Sequence, residues 1–364
     1  MKFTIERKKL IDAMNYAVYA VENRPMIPVL ACVVVEADKA NKFLTLKTCN
    51  MQHKVEVCVE AEIETDGKVA VPAKKLLSLL KSFRGNEVFW DCVEDKVNLK
   101  GGTTEVTLVG LKGDDFPEIA DFTPEYLLSV DKKQIQNIIK NGGYAFGKDD
   151  ARKVLQGCCL EVNQWGVSVV STDGKRLALS SFMTEKGSET VRQYVIPPVA
   201  LSYISNLPAD KIEFLFNSKF LAVKAGNIFY ATKLIEGVFP NYKQVIPQSF
   251  KYNVIVDIEE LINKLQTVSV MADETSCVNL KINYSSIEFT IQNSTDGILR
   301  DSMDVADGPT EPLEVTFNPA LLLSTLNAVN ISGDILLCVN DSYSQVKIQF
   351  DNDTLAILMP IRRK

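Results

Sequence analysis

Apolar and polar residues alternate in short runs along most of the chain, and at three places the alternation gives way to a helical period. The opening "KFTIERKKLIDAM" has this form, which is a half-buried strand running straight into an amphipathic helix. "YLLSVDKKQIQNII" from Tyr126 and "YNVIVDIEELINKL" from Tyr252 repeat it. Aligning Ile5, Val130 and Val256 also aligns Leu10, Ile135 and Leu261, at offsets of 125 and 126 residues. An acid stands at each turn into the helix: Glu6, Asp131 or Asp257. Asp is a good N-cap there, and either acid suits the positive end of a helix.

A second helix recurs at similar offsets. "AVPAKKLLSLLKSF" from Ala70, "VIPPVALSYISNL" from Val195 and "TFNPALLLSTLNAV" from Thr316 each read as strand end, proline-opened turn and helix. The patterns predict helices over 6–20, 72–84, 131–142, 197–207, 257–272 and 318–329. Between them lie alternating stretches such as "KVEVCVEAEI", "EVTLVGL", "WGVSVVST" and "QVKIQF", punctuated by Gly, Asn and Asp. The chain is therefore α+β, with three tandem copies of one unit in which two helices are backed by antiparallel sheet. The expected boundaries are 1–122, 123–248 and 249–364.

"LKGDDFPEI" before the second repeat matches "IEGVFPNY" before the third, with Phe116-Pro117 and Phe239-Pro240 at an offset of 123. Each closes a repeat, and each Phe is expected to staple neighbouring domains, since proline fixes the backbone beside it. The stretch "KLIEGVFPNYKQVIP" goes on to Tyr242, Val245 and Ile246, more apolar side chains than a staple needs. The surplus asks for a partner.

Composition removes most catalytic classes. Hydrophobic residues make up 46% and charged residues 24%, ordinary for a globular chain. No apolar run is long enough to span a membrane, and the N-terminus lacks the apolar core of a signal peptide, so the cytoplasm is expected. Eight cysteines without a C-x-x-C pair and a single histidine, His53, argue against zinc clusters and histidine-based triads, and no metal or cofactor is expected. "STDGKRLALS" invites a phosphate-loop reading at Gly174-Lys175 but lacks that motif's upstream glycine and following hydroxyl. Asp173-Gly174 reads more simply as a hairpin turn. The formal net charge is −6, yet the six helix windows hold 11 Lys and Arg against 6 Asp and Glu, leaving −11 elsewhere. A cationic helix set in an acidic chain suits sequence-blind phosphate contact.

Five segments, "RPMIPVL", "VPAKKL", "STDGKRLAL", "KLIEGVFPNYKQVIP" and the terminal "MPIR", occur in the order of the bacterial sliding-clamp family, the beta subunits of DNA polymerase III. The chain resembles that family from residue 1 to its end. The resemblance implies three clamp domains and a head-to-tail homodimer closed into a ring around duplex DNA. Such a ring has no catalytic activity and no cofactor. It is opened by an ATP-driven clamp loader, and it tethers DNA polymerases and repair proteins that carry short linear motifs. Two chains would bring together twelve helices. Spaced about 9 Å apart, they give a perimeter of about 110 Å and roughly 25 Å of clear bore. A duplex fits.

Residue by residue, the resemblance implies a partner-peptide groove of Leu155, Thr172, Gly174, Lys175, Arg176, Leu177, Pro240, Val245, Ile357, Met359, Pro360, Ile361 and Arg362. Lys175 replaces the family's common histidine and Ser171 its alanine, while Arg363 and Lys364 run past the usual ending. From the residues alone, "MPIRRK" is equally well a solvated basic tail. Helix charge and family position together make Lys74, Lys75, Lys81, Arg84, Lys132, Lys133, Lys140, Lys148 and Arg152 DNA-facing. Asp149 and Asp150 beside the last two oppose that assignment. Two readings fit Arg24: a cation complementing the end of the first helix, or a DNA contact. Lys74, Val270 and Met271 fall at the family's dimer seam, whose acidic edge is reduced here to Asp296 and its neighbours. The competing reading is a β-rich cytosolic enzyme that holds a nucleotide or sugar in a Lys/Asp cleft.

Overall fold

The computed structural model describes residues 1–22, 25–116, 123–184, 187–273, 276–293 and 297–362. Among these residues the chain forms six α-helices: α1 (Arg7–Ala17), α2 (Ala73–Ser82), α3 (Lys132–Gly142), α4 (Pro198–Ser205), α5 (Ile258–Ser269) and α6 (Pro319–Ala328). Each falls inside its expected window, and each begins within two residues of the end of a strand. None of the described helices is long and apolar enough to cross a membrane.

The helix starts follow the cap chemistry unevenly. Asp257 Oδ1 accepts from Glu260 N at 2.8 Å and Asn318 Oδ1 from Leu321 N at 3.0 Å, so α5 and α6 carry side-chain caps. Glu6 makes no such bond. Instead Arg7 N donates to Asn86 O at 2.7 Å, and the Arg7 guanidinium donates to Gly85 O and Leu80 O at the end of α2. The start of α1 is thus satisfied by the end of its neighbour, and the cation meets the negative end of α2.

By compactness the chain forms two units, which cut across the repeats. The first comprises residues 1–132 and 206–234. Its nine-stranded sheet runs, in order, Leu111–Lys112, Gly67–Pro72, Cys32–Asp38, Phe43–Cys49, His53–Glu60, Ile228–Lys233, Phe220–Ala225, Lys211–Phe216 and Tyr126–Asp131. A five-stranded sheet runs Glu62–Thr65, Lys2–Glu6, Glu87–Val93, Lys96–Gly101 and Thr104–Val109. The first and second repeats meet where His53–Glu60 pairs with Ile228–Lys233, placing Val55 opposite Tyr230 and His53 opposite Thr232.

The second unit comprises residues 133–205 and 235–364. Its eight-stranded sheet runs Arg192–Ile196, Cys158–Val162, Gly166–Thr172, Arg176–Met183, Thr354–Leu358, Val346–Gln349, Asp334–Val339 and Tyr252–Asp257. A four-stranded sheet runs Gly297–Asp304, Ser286–Asn293, Val278–Ile282 and Leu313–Phe317. The second and third repeats meet where Arg176–Met183 pairs with Thr354–Leu358. The third repeat's core gathers Leu261, Leu265 and Val268 of α5 and Leu322 and Leu326 of α6 around Phe289 and Phe317.

Both junctions are therefore backbone ladders, and the expected phenylalanine staple needs correcting. Phe116 packs on Val29, Cys32, Val34, Cys49 and Ala70, all from its own repeat. Its neighbour Pro117 lies outside the described residues. A ladder already satisfies the main chain at the junction, so the ring is free to bury itself locally.

The only histidine sits inside the first ladder. His53 is buried, its Nδ1 lies 2.9 Å from the Tyr230 hydroxyl, and Tyr19 stands edge-on to both rings. Burial holds its pKa below the ordinary 6.5 and raises that of Tyr19 to about 12. A depressed histidine binds fewer protons folded than unfolded, so its contribution is intact above pH 6.5 and is lost as pH falls from there toward the folded value. Thermal unfolding between pH 7.5 and 5 should show a falling Tm, and His53→Gln should flatten that part of the profile. An unchanged slope in the variant would remove His53 from the account.

Candidate functional site

The strands Gly166–Thr172 and Arg176–Met183 form a hairpin whose turn is built by its own side chains. Thr172 Oγ1 donates to Arg176 O at 2.6 Å and accepts from Gly174 N at 3.1 Å. Asp173 Oδ1 accepts from Lys175 N and Arg176 N, both at 2.9 Å, and Gly174 takes φ +81°, where a side chain is unfavourable. Asp173 is used up in the turn, and a strand rather than a helix follows. The hairpin reading of "STDGKR" stands, and the phosphate loop does not.

Beside this hairpin an apolar cluster forms from Leu155, Cys159, Val170, Leu177, Val195, Phe239, Tyr242 and Ile357. Leu177 and Ile357 are cross-strand partners in the ladder that joins the second and third repeats. Around this buried floor stand exposed side chains: Pro240, Val245 (46% exposed), Met359 (46%), Ile361 and Arg362. Pro360 is buried. Met359 N donates to Lys175 O at 2.9 Å and Ile361 N to Thr316 O at 2.7 Å, so the described tail is held by backbone bonds, contrary to the solvated-tail alternative. Arg363 and Lys364 lie outside the described residues.

Every groove residue expected from the sequence belongs to this one unit, and three of them, Leu155, Leu177 and Ile357, share its buried cluster. Arg176 faces the third repeat: its Nε donates to Asp173 Oδ2 at 3.2 Å, its Nη1 to Ser324 Oγ of α6 at 2.8 Å, and it stacks 5.6 Å over the Tyr144 ring. Phe239, unlike Phe116, packs in a cluster that joins Leu155 and Leu177 of the second repeat to Ile357 of the third, as expected of a staple, and it also forms part of the apolar floor. Sequence reasoning also missed Glu161, which lies under the floor with Lys243 Nζ 2.8 Å from its Oε1 and Gln193 Nε2 2.9 Å from its Oε2. Burial pushes the Glu161 carboxyl up, but those hydrogen bonds and the Lys243 charge outweigh it and hold the carboxyl below its ordinary value. A charge within the fully buried run "CCLEV" was the signal available.

The cationic residues fall in both units. Lys74, Lys75, Lys81 and Arg84 are exposed in and just after α2, whose buried face is Ala73, Leu76 and Leu80. On α3, Lys133 and Lys140 are exposed and Lys132 half-buried. Lys148 is exposed, whereas Arg152 grips Asp150 through Nε and Nη2 at 3.1 Å each and holds that carboxyl below its ordinary range. Helices α4 and α6 carry no charged residue, and Lys264 of α5 donates to Asp301 at 2.9 Å. Arg24 and Asp296 lie outside the described residues. At the expected seam positions, Val270 is 83% exposed at the end of α5, while Met271 packs on the third repeat's core. Two sheet edges were not foreseen: Thr104–Val109 with exposed Val109, and Gly297–Asp304 with exposed Ile298.

Comparison with known proteins agrees over the whole length. Models of the N-terminal, central and C-terminal domains of the DNA polymerase III beta subunit match residues 1–120, 129–241 and 243–362. A beta sliding clamp of Chlamydia muridarum is 27% identical over 369 residues, which cover 100% of this chain and 99% of that one. The crystal structure of DNA polymerase III subunit beta from Pseudomonas aeruginosa shares the fold, with a TM-score of 0.95 at 24% identity and both chains covered in full. A sliding clamp from the same organism bound to griselimycin superposes at a TM-score of 0.94, with 24% identity and the same coverage.

The floor and the rim should respond differently to substitution. Phe239→Ala should cost about 3–5 kcal/mol in denaturant unfolding, as expected for a buried aromatic truncated to a cavity. Val245→Asp, at an exposed rim position, should stay within about 0.5 kcal/mol of the parent. Equal losses would mean that the rim is part of the core.

Proposed function

The chain belongs to the DNA polymerase III beta subunit family, and we propose that it acts as a DNA sliding clamp, a ring without chemistry of its own that encircles duplex DNA and tethers replication and repair proteins to it. The observation that carries this reading is the unbroken series of three family matches along one chain. One copy supplies three repeats, and a head-to-tail pair of copies is the assembly that would close a ring. The open edges Thr104–Val109 and Gly297–Asp304 fit such a seam, because unpaired strand edges with exposed apolar residues favour strand addition.

Attachment would be electrostatic. The exposed lysines of α2 and α3 suit phosphates, and contacts without base readout leave the ring free to slide. Such contacts would be borne by the first helix pairs, since α4 and α6 lack charge and Lys264 is engaged by Asp301. In this reading the groove receives extended apolar segments of polymerases, repair proteins and an ATP-driven loader. Griselimycin, bound by the related clamp, is assigned to the same groove as a probe of it. The work is placed in the cytoplasm. The enzyme alternative finds no support, because the relative matched over its full length is a beta sliding clamp.

The test is retention on DNA. The parent should sediment at twice the 40.5 kDa chain mass and, once loaded on nicked circular DNA, should stay there at moderate salt. Lys74, Lys75, Lys81 and Arg84 changed together to Glu should leave the sedimentation unaltered and shift loss from the circle to lower salt, since each phosphate contact adds to the salt dependence. A parent that stays monomeric, or a variant retained like the parent at every salt, would sink the proposal.

A further inference from the structure

Under the apolar groove lies a charge that the packing of an apolar cluster does not explain. Glu161 sits in the strand Cys158–Val162, every residue of which is buried, and its side chain is 2% exposed. Among the described residues one ion-pair partner reaches it, Lys243 Nζ at 2.8 Å; Gln193 on the adjacent edge strand occupies the other oxygen, and the Tyr242 hydroxyl also bonds to the carboxylate. Lys243 belongs to the 3-10 turn Tyr242–Val245. That turn puts Tyr242 into the floor cluster and Val245 on the rim, and follows directly on Pro240 and Asn241.

Stability is a poor reason for such a pair. Desolvating a carboxylate offsets much of what the pairing gains, and apolar replacements of similar size are often neutral or stabilising. What an ion pair supplies and a greasy contact does not is direction. The Tyr242 ring and its hydroxyl, which bonds to Glu161, anchor the four-residue turn at one point, and Lys243 adds a second that restrains its rotation. A second polar tie, Gln345 Nε2 to Val245 O at 3.3 Å, comes from the third repeat and restrains the same turn.

We propose that Glu161 and Lys243 are positioning residues for the groove: their ion pair, in which a largely exposed lysine is tied to a buried carboxylate, fixes the turn so that Pro240 and Val245 hold the rim in its binding position before an apolar peptide arrives. The inference rests on the groove reading. Its physical content is pre-organisation, since a rim already in place spares the ligand the cost of ordering it.

The variant that isolates this role removes both charges. Glu161→Gln with Lys243→Met keeps the volume and an acceptor for Tyr242 and Gln193, and unlike Lys243→Met alone it leaves no unpaired buried charge. Two quantities are read, the melting temperature and griselimycin affinity. The pair variant should melt within a few degrees of the parent and bind at least tenfold more weakly, while Lys243→Arg, which keeps the cation, should bind like the parent. Val245→Asp serves as the control for the groove itself. Should the parent fail to bind griselimycin, or Val245→Asp bind like the parent, the groove reading falls and this inference with it. Should Val245→Asp lose binding while the pair variant binds normally, the positioning role alone is overturned. A pair variant that no longer folds would also overturn it, because the two charges would then be holding the fold.

Discussion

A strand at the edge of a sheet carries a row of backbone groups that need partners, and in this chain the next repeat supplies them. His53–Glu60 of the first repeat is completed by Ile228–Lys233 of the second, and Arg176–Met183 of the second by Thr354–Leu358 of the third. This constraint explains why compactness and repetition divide the chain differently: strands of the central repeat complete sheets in both units. It also locates the groove. The second ladder ends at Met359 N and Lys175 O, and the cross-strand pair Leu177 and Ile357 just inside that end becomes the apolar floor. The proposed groove thus lies at the end of a junction, and residues 359–362 reach it because they continue the last strand.

Charge follows a separate logic. The chain is acidic as a whole, yet its first, second and third helices present lysines outward from apolar undersides, while α4 and α6 present none. Helix periodicity makes this separation inexpensive: on α2, Leu76 and Leu80 take the core while Lys74, Lys75 and Lys81 take the solvent. Where a nearby acid exists, the structure uses it. Arg152 closes on Asp150 and Lys264 on Asp301, which reduces what either can offer to phosphate.

Much of this was legible in the sequence because it is local. The six helices lie within their windows, since the apolar period and the acid, proline or asparagine at each start are signals read over a few residues. The turn at Asp173-Gly174 was legible through its motif. The pairing of whole repeats was not, because nothing in "HKVEVCVE" says that its partner is "IFYATK" some 170 residues away. Phe116 and Phe239 look alike as Phe-Pro pairs, yet one packs inside its own repeat and the other floors the groove. A bulky ring beside proline reveals that it will be buried, not against what. Glu161 escaped for the same reason: an acid within an apolar run reads as a surface break until Lys243, far along the chain, is seen beside it.

The two uses of lysine in this molecule are opposite, and the difference follows from what each partner requires. A duplex offers the same phosphate spacing at every position, so exposed, mobile ammonium groups suffice, and fixing them would hinder sliding. An apolar peptide offers little direction of its own, because burial of greasy surface is nonspecific in geometry. The groove must therefore bring its shape with it. Lys74, Lys75 and Lys81 remain in solvent, whereas Lys243 is drawn onto a buried carboxylate that fixes the turn beside it. In the proposed reading the same side chain serves loose attachment on the helices and fixed shape at the groove, and the presence or absence of a buried acid decides which.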